Sequence, residues 1–65
     1  MLRITYKDET QKSFCLKNKD RETTFLVMWQ WCVKHVPEKK LKVRTIEEEP
    51  FIVTLGDLIW VEILD

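Results

Sequence analysis

Glycine is almost missing from this chain: Gly56 is the only one in 65 residues. A phosphate-cradling loop needs several glycines so that the backbone can close on the anion, and that class of site is excluded. Proline is nearly as scarce, at two residues, and so little Gly and Pro argues against a linker or a disordered tail. Only two cysteines occur, Cys15 and Cys32, without metal-type spacing. Two are too few for a disulfide framework, so both are expected to be free thiols in a reducing cytoplasm. No apolar run approaches the roughly 18 residues a membrane-crossing helix needs. The first residues, Met1 to Phe14, also lack the basic-then-apolar order of a signal peptide.

What is present suits a small globular protein. Apolar residues make up 45% of the chain, enough for one core, and residues 1–65 are expected to form a single domain near the lower size limit for unaided folding. The segment the rest must pack around is Asp20 to Val36, the one stretch with long helical periodicity. Asp20 is the expected N-cap, Glu22 suits the positive end of the helix dipole, and Lys34 and His35 suit the negative end. Pro37 stops the run by removing a donor and displacing Val36 from helical geometry. Successive steps of about 100° place Phe25, Met28, Trp29, Cys32, Val33 and Val36 on one stripe, the expected core face, with Leu26 at its margin. Thr23, Thr24, Gln30 and Lys34 lie opposite. Val27 and Trp31 fall on that polar side too, and this is the most informative irregularity in the chain.

Strands flank the helix. Leu2, Ile4 and Tyr6 alternate with polar residues, as do Phe14 and Leu16, so the first two strands read as a hairpin around the polar stretch 7–11. Lys40 to Ile46 alternates again, Glu47 to Pro50 is a charged turn, and Phe51 to Leu55 is a short strand. Gly56-Asp57 is a tight turn suited to positive φ, followed by a last strand over Leu58 to Leu64. The expected fold is α+β: β-β-α-β-β-β, one helix packed on a mainly antiparallel, curved sheet. A small β-barrel capped by the helix is the alternative.

Charge is balanced overall but not locally. Residues 34–44 carry Lys34, Lys39, Lys40, Lys42 and Arg44 against Glu38, whereas residues 46–65 carry six acidic groups and no base. The bland account is two solvated faces that attract weakly. Nucleic acid requires a basic surface that is not neutralised nearby, and here the acidic run follows directly.

Catalytic chemistry finds little to work with. Cys32 and His35, three apart on one helix, could pair as nucleophile and base or ligate zinc with Cys15. Zinc would lack a fourth ligand, and a nucleophile would lack an orienting acid. The sequence therefore predicts no enzyme, no cofactor and no metal site.

Trp31 with Val27, Lys34 and His35 admits three readings: covered by a strand or the 37–40 loop, a protein interface, or a base-stacking site beside Lys39 and Lys40. The last strand is also too apolar for one helix to cover, and strict alternation puts Leu58, Trp60 and Leu64 on a second apolar face. The expectation is a cytoplasmic, non-catalytic protein-protein interaction module, a regulator or inhibitor. It would bind another protein through Val27, Trp31, Lys34 and His35, and itself, as a homodimer, through Leu58, Trp60 and Leu64. A nucleic-acid binder using Lys39, Lys40, Lys42 and Arg44 with Trp31 is the alternative.

Overall fold

A computed structural model describes residues 1–64. The chain begins with β1 (Leu2–Tyr6) and β2 (Gln11–Phe14), an antiparallel hairpin whose inward side carries Leu2, Ile4 and Phe14. Local chemistry closes its turn. The Asp8 carboxylate accepts the Thr10 hydroxyl at 2.6 Å and the Thr10 N–H at 3.0 Å, which holds Asp8 below its ordinary pKa. Glu9 takes the positive φ, 73°, that such a turn needs.

Helix α1 (Arg21–His35) follows. Asp20 stands at its cap position but makes no side-chain capping bond, contrary to expectation. Asn18 does the work instead: its side-chain oxygen accepts the Asp20 N–H at 3.1 Å and its carbonyl accepts the Arg21 N–H at 3.0 Å. At the other end Val36 leaves helical geometry just before Pro37, as expected. Phe25, Trp29 and Cys32 are buried, with Leu26, Met28 and Val33 partly buried beside them. Glu22 is not simply a dipole-stabilised surface residue. It is buried, and its carboxylate meets the Met1 ammonium at 3.2 Å.

β3 (Lys40–Val43) and β4 (Phe51–Thr54) form a second hairpin, a 3-10 turn spans Leu55–Asp57, and β5 (Leu58–Ile63) returns to pair with β1. The order matches the expected β-β-α-β-β-β, and the fold is a single α+β domain. One sheet runs β2-β1-β5 and the other β3-β4. An isolated Leu16–Thr45 bridge links them, with the Ile46 N–H bonded to the Cys15 carbonyl and the Lys17 N–H to the Arg44 carbonyl. No ladder joins β4 to β5, so the barrel is not closed.

Two further local details differ from the reading of the sequence. Gly56 has no positive φ. It is demanded by close approach: its N–H bonds the Pro37 carbonyl at 2.7 Å, and a Cβ there would lie 2.5 Å from that oxygen. The second concerns β5. Its register slips so that Thr5 faces Trp60 and Tyr6 faces Leu58, leaving Ile59 as an extra residue. Alternation fails at this bulge: Leu58 and Val61 are both buried, three apart, while Ile59 and Trp60 are both exposed.

Candidate protein-binding surface

Helix α1 presents two flanks to the strands. Toward β5 and the 3-10 turn it is tightly packed. The Trp29 indole N–H donates to the Leu58 carbonyl at 3.3 Å, and its ring meets Trp60 edge-on at 6.4 Å. Toward β3 the helix stands away from the sheet and leaves a groove of about 590 Å3. Leu16, Phe25, Met28, Leu41 and Val43 supply its apolar surface. Lys17, Arg21, Lys42 and Arg44 stand around it, all four exposed. No carboxylate lines the groove, and among the described residues none of these four cations belongs to an ion pair.

A shallower hollow of about 480 Å3 adjoins it over the outer face of the helix, lined by Thr23, Thr24, Val27, Met28 and Trp31. Thr24 and Met28 belong to both, so the two form one continuous surface. Trp31 and Val27 are each 57% exposed, and neither a strand nor the 37–40 loop covers them. Trp31 stacks at 4.5 Å on His35, one turn later. Helical spacing thus brings Val27, Trp31 and His35 together, with Lys34 exposed beside them.

The basic residues named from sequence separate. Lys42 and Arg44 reach the groove, whereas Lys39 and Lys40 are exposed but do not line it. Lys17 and Arg21 were not anticipated. Arg21 lies three and four residues before Thr24 and Phe25, a spacing that marks one helix face, but no sequence signal places it opposite Lys42.

The acidic run is partly engaged elsewhere. Glu48 pairs with Lys12 at 2.8 Å, and both Glu47 carboxylate oxygens accept the Cys15 N–H, at 3.1 and 3.2 Å. That backbone bond holds Glu47 below its ordinary pKa.

The second apolar face changes composition. Leu58 is only 1% exposed and belongs to the core, so it cannot contribute to a surface patch. Leu64 is partly buried, its N–H bonded to the Met1 carbonyl. Trp60 is exposed as expected, and Ile59 and Ile63 are exposed on the same strand. The bulge produces the exchange of Leu58 for Ile59, and alternation along the sequence hides it.

Cys32 is buried, while His35 is exposed and has its ring on Trp31. Among the described residues, no group of three or more His, Cys, Asp or Glu could hold a metal. Among the described residues, no helix is long and apolar enough to cross a membrane. Compared with protein-family models, curated proteins and solved structures, the chain matches none of them.

Proposed function

We propose that this chain is a small non-catalytic protein-interaction module, an accessory regulator or inhibitor that acts by covering a surface of a partner protein. The observation that carries the reading is the Val27–Trp31–His35 face of α1. A tryptophan held on a helix, more than half exposed and backed by a stacked imidazole, offers a large rigid apolar contact at little entropic cost. The adjoining groove extends that contact.

Self-association is a second part of the proposal. β5 lies at the edge of its sheet, so one side of its backbone has no strand neighbour, and Ile59, Trp60 and Ile63 are exposed along it. Pairing of two such edges about a two-fold axis is the simplest homodimer. A nucleic-acid role is less well supported, because the cations and the exposed aromatic face lie at different ends of this surface: Phe25 in the groove is buried, and the hollow that holds Trp31 is lined by none of the four cations.

The test uses wild type, Trp31→Lys and Trp60→Lys, each checked for native fold. Immobilised wild type and Trp60→Lys should retain the same host protein, and Trp31→Lys should lose it. Retention by Trp31→Lys contradicts the assignment. Sedimentation from micromolar to sub-millimolar concentration should give a dimer for wild type and a monomer for Trp60→Lys. A wild type that stays monomeric removes the homodimer.

A further inference from the structure

We infer that the groove between α1 and β3 receives an acidic, amphipathic segment of a partner protein, with an aliphatic or aromatic side chain on its apolar surface and flanking carboxylates on its cations. The inference rests on reading the chain as a protein-binding module, and it concerns the half of the surface that does not contain Trp31.

Charge complementarity decides the partner's sign. Arg21 approaches from the first turn of α1, Lys17 from the link between β2 and α1, and Lys42 and Arg44 from β3 and its end, so four cations surround one concavity with no carboxylate in its walls. Like charges gathered around a groove raise its potential and leave a carboxylate-bearing ligand the natural counterpart. Two of the four are arginines, whose planar forks suit bidentate carboxylate binding. The floor decides the rest. Leu16, Met28 and Leu41 are partly buried side chains with no stacking plane, so they suit an inserted Leu, Ile or Phe better than a nucleobase. A small inorganic anion would leave that floor wet.

A second copy of the chain is a weaker occupant. Its one acidic run has Glu47 committed to the Cys15 amide and Glu48 to Lys12, so docking would pull both from existing partners. A separate protein segment carries no such cost.

Selection from a library of random short peptides, on wild type and on the charge-reversed double variant Arg21→Glu/Lys42→Glu, tests this. Both residues are exposed, so the variant keeps its core, which circular dichroism verifies. Peptides enriched on wild type should combine two or more Asp or Glu with a large apolar residue. They should bind the variant about tenfold more weakly or worse and weaken as salt rises. Enrichment without acidic residues, no wild-type-specific enrichment, or tighter retention of an oligothymidylate than of the selected peptides overturns the inference. So does a concentration-dependent dimer abolished by the same charge reversal, which identifies a second copy as the occupant. Binding of the selected peptides to Trp31→Lys separates the two claims. Dependence on Arg21 and Lys42 alone supports the groove without the Trp31 face, and dependence on Trp31 alone does the reverse. Dependence on both supports one continuous surface.

Discussion

Toward β5, helix α1 is closed down on its neighbours: Trp29 is 8% exposed, its indole N–H is satisfied by Leu58, and Trp60 packs edge-on against it. Toward β3, the same helix stands off and leaves Leu16, Met28 and Leu41 partly exposed to solvent. Both flanks have apolar material. They differ in charge, since the closed flank meets strand residues that are apolar and the open one meets Lys42 and Arg44 from a helix edge bearing Arg21. Closing that gap would bring like charges together as their water is removed, which is unfavourable at short range. The open flank is thus apolar area left uncovered, as expected where a surface is kept for a partner rather than for folding.

Several substitutions break or sharpen this contrast. The largest effect is expected on the closed flank, where Trp29→Ala should cost about 3–5 kcal/mol in urea unfolding, enough to unfold a domain this small. Gly56→Ala, where Pro37 approaches the 3-10 turn, should cost about 1–3 kcal/mol because that backbone must give way, read as a lower melting temperature. On the open flank the sign should reverse. Arg21→Glu relieves the like charges and places a carboxylate in the first turn of the helix, so it should stabilise the fold by about 0.5–1 kcal/mol while weakening partner binding. Destabilisation by Arg21→Glu would remove charge as the reason the flank stays open. Trp31→Ala should change stability by no more than about 0.5 kcal/mol. A loss matching that of Trp29→Ala would mean the outer face of the helix is core as well.

The smallest effect is a pH dependence at Glu47, which does not line the groove. Glu47 is held below its ordinary value of 4.5 by the Cys15 amide. A depressed carboxylate stabilises the fold above that ordinary value, and the stabilisation is lost as pH falls through the folded-state pKa. Acid unfolding of Glu47→Gln should therefore show a shallower loss below about pH 4.5 than wild type, and an unchanged slope would show that the bond is not kept in solution.

Much of this contrast is legible in the sequence, for a local reason. Trp29 and Trp31 lie about 200° apart on any α-helix, so spacing alone sets them on opposite faces, while the absence of a strand or the 37–40 loop over Trp31 is seen only in the structure. Hairpin limits and the stop at Pro37 are local too. What escaped the sequence depends on partners distant in the chain. The β5 bulge arises in pairing with β1, so alternation put Leu58 on the surface and Ile59 on the opposite face with Val61, whereas Leu58 is buried and Ile59 exposed. Asp20 looks like a cap until Asn18 is seen to take the role two residues earlier. The groove escaped because its cations come from separate segments: counting charge over 34–44 grouped Lys39 and Lys40 with Lys42 and left out Lys17 and Arg21.

The three tryptophans allow the central claim, that the open side of α1 is the binding surface, to be tested in one experiment. Each indole N–H gives its own resonance in a nitrogen-correlated NMR spectrum, and each reports a different place: Trp31 the outer face of α1, Trp29 the closed flank, Trp60 the β5 edge. On titration with the host protein retained by the immobilised chain, the account predicts that the Trp31 indole and the amides of Thr24, Val27 and Met28 shift. Trp29, bonded to Leu58, should stay in place. Shifts confined to Trp60 and its neighbours on β5, with Trp31 unmoved, would contradict it.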